Sequence, residues 1–399
     1  MTLKHIEMNK LIITILLISA TFATMAQSEF SAVLQQIEVN NTTLAALRQQ
    51  TEAEKIANRT GIFPTNPEVE FNYLWGNPSL IGNRTDFSVR QTFDFPTVYG
   101  YRNKIANLQN ENAELAYKAE RLNILLSAKQ ICIELVYYNA LAKEFAARLQ
   151  NANRIAEAYK TKFDKGETNI IEHNKAQLNL AVLQAEVARI ETERTALLAK
   201  LKRLNGGIEI IFTYEVYPDN VLPVHFEEWY SATEKKNPVL QYVRGQIEIN
   251  KQQIKLNRAM DLPGFSAGYM SEKIVGEHFQ GLTFGVSIPL WENKNRVKQA
   301  KIQAQAAEAL LEDSKVQFHN HLQTLYFKAA TQKQNAQKFR QSLIENRNEP
   351  SLKKALDAGE ISLLNYLLEI EFYNDAINRV LEAERDYELI LAELWIVEL

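Results

Sequence analysis

Four short stretches decide the fold: Val69-Glu70-Phe71-Asn72-Tyr73-Leu74-Trp75, Phe87-Ser88-Val89-Arg90-Gln91-Thr92-Phe93-Asp94-Phe95, Phe265-Ser266-Ala267-Gly268-Tyr269 and Leu282-Thr283-Phe284-Gly285-Val286-Ser287-Ile288. In each, apolar or aromatic residues alternate with polar or small ones, and Gln91 is the one polar residue on the apolar side. Successive side chains of a strand point to opposite faces, so alternation makes a strand with one apolar face. Strands are expected over about 67–75, 85–95, 263–271 and 281–289. Alternation by itself suits a half-buried soluble sheet better than a membrane-spanning one. The rest of the chain reverses that preference.

Gly 14 and Pro 10 in 399 residues amount to about 6%, half the roughly 12% of an average protein. So few breakers imply long helices and exclude collagenous, low-complexity and many-turned all-β chains. Residues 99–163 contain no proline and a single glycine, Gly100; as one helix they extend roughly 97 Å at 1.5 Å per residue. Leu108, Leu115, Ala119, Leu122, Leu126 and Ile133, and later Leu180, Leu183, Val187, Ile190, Leu197, Leu201 and Leu204, follow an alternating three-and-four spacing. That repeat is the mark of coiled-coil packing. Helices this long do not lie across the face of a small soluble sheet. Placed in lipid, four strands cannot close a barrel, since single-chain barrels begin at about eight strands, and open edges are not tolerated there. Several copies must pool their strands, giving 8, 12 or 16 for two, three or four chains.

The pattern is duplicated. Asn41-Thr42-Thr43-Leu44-Ala45-Ala46-Leu47-Arg48 matches Asn237-Pro238-Val239-Leu240-Gln241-Tyr242-Val243-Arg244, 196 residues on, and Pro67 matches Pro263 at the same offset. Pro96 matches Pro289, and Asp164-Lys165-Gly166-Glu167 matches Asp357-Ala358-Gly359-Glu360, both 193 residues on. The chain therefore divides into a first repeat, 27–205, an inter-repeat segment, 206–225, and a second repeat, 226–399. Each repeat reads as helix, two strands, very long helix, tight turn, helix: 28–62, 99–163 and 168–205 in the first, and 226–259, 292–357 and 361–397 in the second. Pro350 is expected to bend the second long helix. The inter-repeat segment opens on Gly206-Gly207 and carries a β-prone stretch from Ile208 to Val216.

Residues 1–26 read as a secretory signal peptide: Lys4 and Lys10, an apolar run Leu11–Ala20, and Thr24-Met25-Ala26 before a cleavage site at Gln27. Met8 offers a second start, and no cysteine follows the cleavage site to take a lipid. A formal charge of −3 argues against a nucleic-acid partner, and the single cysteine, Cys132, can form neither an internal disulfide nor a thiolate cluster.

These residues resemble the TolC family of outer-membrane efflux channels over nearly the whole mature chain. The resemblance is carried by the duplicated element order, by the strand exit Val286-Ser287-Ile288-Pro289-Leu290-Trp291 running into Asn293-Lys294-Asn295-Arg296, and by the turn Ala358-Gly359-Glu360-Ile361-Ser362-Leu363-Leu364. It implies a mainly α protein with a transmembrane β portion. A homotrimer would form a 12-stranded barrel in outer-membrane lipid, continued by an α-helical tunnel through the periplasm. It also implies a passive exit duct of a tripartite efflux or type I secretion system, fed by an inner-membrane pump (resistance-nodulation-division or ABC type) through a periplasmic adaptor. Strand residues Phe71, Tyr73, Trp75, Phe87, Val89, Phe93, Phe265, Tyr269, Phe284 and Val286 would then face lipid. The turns Asp164, Gly166, Glu167 and Asp357, Gly359, Glu360 would form the periplasmic tips that receive the adaptor. The tunnel entrance would be narrowed by residues after these turns: Glu172, Asn365, Tyr366, Leu368 and Glu369. Best-known members place two aspartates where this sequence has Asn365 and Leu368, and a latching arginine where it has Ile361, so the acidic pair and that latch are absent.

The alternative is a soluble periplasmic coiled-coil adaptor, which carries one helical hairpin between β-rich domains rather than two repeats each with an aromatic strand pair. No nucleophile–base pair, Walker loop or dinucleotide fingerprint stands in a supporting context, so no catalytic residue and no cofactor is expected. His319 and His321 are two residues apart, a spacing that puts them on different helix faces rather than on one metal; with His278 they are expected to serve structure or surface.

Overall fold

A computed structural model describes residues 30–218 and 221–399, so the expected signal peptide lies outside the described residues. In order the elements are α1 (30–40), α2 (Thr42–Ala57), β1 (Glu68–Leu74), β2 (Arg84–Phe93), α3 (Pro96–Asp164), α4 (Ile170–Leu204), α5 (Phe226–Lys236), α6 (Pro238–Ala259), β3 (Gly264–Ile274), β4 (Glu277–Ser287), α7 (Arg296–Glu345), α8 (Glu349–Ala358) and α9 (Leu363–Leu394). The protein is mainly helical, with one antiparallel sheet in the order β1-β2-β3-β4. Two compact units share the chain.

The unit built from 46–119 and 233–318 holds the sheet. Its register puts Val69 opposite Val89, Val89 opposite Tyr269 and Tyr269 opposite Leu282, an unbroken apolar row across four strands. Below the sheet, Val98, Ile105, Ile249, Leu256 and Ala259 pack α3 against α6. Gly245 brings the two helices close: a Cβ there would collide with the Asn112 amide, which donates to the Tyr242 carbonyl at 3.2 Å. Glu114 on α3 holds two cations of α2, Arg48 at 2.9 Å and Lys55, and they keep its carboxyl below the usual carboxylate range.

The second unit, built from 30–45, 120–232 and 319–399 among the described residues, has its main core where Phe30, Val33 and Ile37 of α1 meet Cys132, Leu135 and Val136 of α3 and Leu197, Leu201 and Leu204 of α4. Burial pushes the Cys132 thiol up to about 12, so it acts as a small apolar group. Arg121 grips Glu38 with two bonds of 2.6 and 2.7 Å.

Four local readings need correction. The helix expected over 28–62 breaks at Asn41, and the one expected over 226–259 breaks at Asn237. These are the duplicated asparagines, and each caps the helix that follows: Asn41 Oδ1 accepts from the Leu44 amide at 2.9 Å, Asn237 Oδ1 from Val239 at 2.8 Å and Leu240 at 3.3 Å. An asparagine that satisfies orphan amides of a helix start is more stabilising there than in a helix interior. The second long helix is not bent at Pro350 but interrupted before it, and Pro350 sits in the first turn of α8, where its missing N–H is no loss. Finally, Ile208–Val216 forms no strand. The segment lies along α3, where the Asn139 amide donates to the carbonyls of Tyr214 (2.9 Å) and Phe212 (3.5 Å), and the Tyr217 hydroxyl donates to Ile133 O at 3.1 Å. Side chains of α3 replace the ladder that β-propensity anticipated.

Because one amide serves two carbonyls of this segment, Asn139→Leu is expected to cost about 1–3 kcal/mol by orphaning them. Limited proteolysis should then cut within 206–225 faster than in the wild type; an unchanged digestion pattern would show that the apolar anchors Phe212 and Tyr217 suffice.

Candidate functional site

Two regions carry the expected functional residues, one in each unit. In the sheet unit, strand register puts the candidate lipid-facing residues Phe71, Phe87, Val89, Phe93, Phe265, Tyr269, Phe284 and Val286 on one face, with Tyr73 and Trp75 continuing it. The face is uncovered: Trp75 and Phe284 are each 80% exposed and Leu282 75%. From the level of Phe71 and Phe87 to that of Ile288 the band is eight residues tall, about 27 Å along the strand at 3.4 Å per residue. The opposite face is polar, carrying Glu68, Glu70, Asn72, Asp86, Ser88 and Arg90, and Arg84 pairs there with Asp86 at 2.8 Å and Glu272 at 3.2 Å. The sheet is thus inverted relative to a soluble one, where the apolar face would be under the helices. Among the described residues, β1 and β4 have one unpaired edge each.

In the other unit, both tight turns are built alike. The chain leaves α3 at Gly166 with φ 73° and α8 at Gly359 with φ 75°, the left-handed conformation that glycine adopts without strain. In each turn the glycine amide bonds three residues back and the glutamate amide five back: Gly166 to Phe163 and Glu167 to Lys162, Gly359 to Leu356 and Glu360 to Ala355. These are paired Schellman caps. Three residues beyond each glycine a side chain caps the next helix: Asn169 accepts from the Glu172 amide at 3.0 Å, and Ser362 from the Asn365 amide at 3.2 Å. Asp164, Gly166, Glu167, Asp357, Gly359 and Glu360 are all exposed, and Asp357 pairs with Arg154 at 3.0 Å.

The segments after the turns meet in one apolar cluster, where Ile155 and Ala156 of α3 and Ala176 of α4 pack with Leu356, Leu363 and Tyr366. Tyr366 belongs to that cluster and not to a pore lining. It is 2% exposed, and its hydroxyl accepts from the Asn151 amide at 2.7 Å. The sequence reading erred because an aromatic beside Asn365 was assigned to the same surface, although neighbours on a helix are about 100° apart. Asn365, Leu368 and Glu369 are exposed. Glu172 is half-buried, one carboxylate oxygen 3.4 Å from Lys175 and the other without a hydrogen-bond partner. Sequence reasoning missed Asn151 and Arg154, which bind the second repeat's turn to α3 across more than 200 residues. It also missed the exposed stripe Leu364, Leu368 and Phe372 on α9, the last 78% exposed, which an i, i+4, i+8 count would have found.

The histidines have local partners. His319 lies edge-on to Tyr230 at 4.7 Å, with Glu227 3.5 Å from its Nε2, whereas His321 faces Glu393 at 3.1 Å and His278 bonds Ser271 at 2.8 Å. No group of His, Cys, Asp and Glu able to hold a metal ion occurs among the described residues.

Residues 229–394 match the family model described as outer membrane efflux protein. No curated protein sequence matches the chain. In fold it is similar to the Campylobacter jejuni CmeC outer membrane channel, with TM-score 0.75 and 15% identity over 92% of this chain and 85% of the other. It is also similar to the Vibrio cholerae outer membrane protein VceC (0.71, 13%, 94% and 95%). A third similar structure is the open state of the Neisseria gonorrhoeae MtrE outer membrane channel (0.68, 14%, 92% and 88%).

If Tyr366 is a packing residue, Tyr366→Phe removes one hydrogen bond and costs about 1 kcal/mol, while single-channel conductance in planar bilayers stays at the wild-type value. A conductance change matching that of Asn365→Ala would return Tyr366 to the pore.

Proposed function

We propose that this chain, whose residues 229–394 belong to the outer membrane efflux protein family and whose fold is that of TolC-type outer-membrane channels, is one protomer of a homotrimeric passive exit duct. An outer-membrane efflux channel, and not a soluble adaptor, is the reading that family and fold support. The observation that carries it is the inverted sheet: an uncovered apolar face of membrane height on strands whose outer edges are unpaired. In lipid each unpaired backbone group costs several kcal/mol, so the edges must find partners. β1 of one copy pairing with β4 of the next satisfies both edges, and three copies give 12 strands. The polar face then lines a water-filled lumen, as in other barrels.

In this reading the helices continue the lumen through the periplasm. The exposed residues Leu364 and Phe372 on α9 and Ile171, Leu178 and Val182 on α4 are covered by neighbouring copies. The paired turns around Gly166 and Gly359 form the tips, where hairpins of a periplasmic adaptor dock. Asn365 and Leu368, with Glu172 and Glu369 beside them, narrow the entrance, and the aspartate pair of the best-known members is replaced by Asn365 and Leu368. Energy comes from an inner-membrane pump of resistance-nodulation-division or ABC type, and the duct itself carries out no chemical step.

Two variants test this. Phe284→Lys places a charge on the lipid face near mid-height and is expected to cost about 2–4 kcal/mol of membrane insertion, read as loss of detergent-extracted trimer from outer-membrane fractions; undiminished trimer would remove Phe284 from the lipid face. Gly359→Asp adds a charged side chain to the tip. Trimers should persist in the membrane while export in a deletion strain falls to background, and normal export by this variant would count against docking there.

A further inference from the structure

Where β4 leaves the sheet, the chain turns through Pro289–Asn295 into α7, and this turn combines two features that the channel reading does not use. The first is apolar. Ile288 follows Phe284 and Val286 at the two-residue spacing of that face, just past the last strand residue, and Leu290 and Trp291 come next in the chain, 71% and 77% exposed. The second is charge. Lys294, Lys298 and Lys301 stand along the turn and the first helical turns of α7, exposed and, among the described residues, without an ion-pair partner. All three line one cleft of about 560 Å³ together with Leu290 and Trp291, and Asp261 is its single acidic lining residue. A net basic concavity bordered by an exposed indole is therefore continuous with the lipid-facing sheet.

We propose that this cleft binds the headgroup of an anionic phospholipid from the periplasmic leaflet of the outer membrane, with its acyl chains lying on Ile288, Leu290 and the sheet face. The inference rests on the channel reading, which sets the helical end of the strands at the periplasmic boundary. Charge complementarity and continuity with the lipid face select the occupant. A phosphodiester is attracted by three ammonium groups, each of which strengthens attachment to an anionic surface about fivefold when it lies near that surface. Tryptophan is enriched where the hydrocarbon ends and the headgroups begin. A zwitterionic lipid offers no net charge to the lysines, and a free anion makes no use of the exposed indole and leucine.

The test uses the full-length trimer extracted in detergent and titrated with phosphatidylglycerol or phosphatidylcholine, with bound lipids counted by native mass spectrometry. Wild-type trimer is expected to retain phosphatidylglycerol at least tenfold more strongly than phosphatidylcholine. Lys294→Gln/Lys298→Gln/Lys301→Gln should lose that preference with its single-channel conductance unchanged. Trp291→Ala should weaken both lipids together. Equal retention of the two lipids by wild type overturns the site, as does an undiminished preference in the triple variant. Complete displacement by inorganic phosphate also overturns it, because it would mark a site for free anions. Should the triple variant not assemble, Lys298→Gln alone is read in the same way, with a partial loss of preference expected and none counting against the site. Absence of conductance from wild-type trimer would instead sink the channel reading, and this inference with it.

Discussion

The constraint on which the structure depends is that backbone amides and carbonyls at a sheet edge must be hydrogen-bonded when water is absent. Four strands leave two edges open, and the apolar row Val69, Val89, Tyr269, Leu282 crosses the sheet on a face where, among the described residues, Val69 and Leu282 are exposed. A soluble protein with these strands would bury that row and leave the opposite face wet. Here the opposite face holds Glu68, Glu70, Asp86 and Arg90, charged groups whose desolvation would be costly. In the proposed channel, lipid takes the apolar face, water takes the polar one and other copies of the chain take the edges. In that arrangement oligomerisation is part of the fold. It is what completes the backbone hydrogen bonding.

The same economy governs the helical part, where most specification is local. The turns at Gly166 and Gly359 are each determined three times over: a left-handed glycine, a double carbonyl cap, and a side-chain cap on the next helix. Each device contributes roughly 1 kcal/mol, and their recurrence 193 residues apart gives both repeats the same reversal without long-range instruction. What long-range packing adds is the joining of the repeats: Ile155 and Ala156 of the first against Leu356, Leu363 and Tyr366 of the second. Local chemistry shapes each hairpin, and apolar burial couples the two.

This division explains what could be read from the sequence. Period-two alternation, breaker placement and the Asp-x-Gly-Glu repeat are local and periodic, and they mark the strands, the long α3 and both turns. Asn41 and Asn237 were visible as a repeat, yet an asparagine in a helical pattern does not announce whether it caps or merely rides on the surface; only the amides of Leu44, Val239 and Leu240 decide. The stretch Ile208–Val216 has strand propensity, but its partner is an α3 side chain, Asn139, and no sequence rule links residues more than 70 positions apart. Tyr366 failed for a related reason: which side of α9 is buried depends on where α3 lies.

The buried position of Tyr366 bears on how the second turn can move relative to α3. The polar links between α3 and the second turn are cheap to break: one hydrogen bond from Asn151 and one exposed ion pair from Arg154 to Asp357, each worth about 1 kcal/mol or less. The apolar contact is not. Separating α9 from α3 exposes Leu363 and Tyr366, both 2% exposed or less, and burial of such side chains is worth roughly 1.5–3 kcal/mol each. Movement that keeps this cluster intact therefore costs less than movement that splits it. The second turn and the end of α3 should travel as one body.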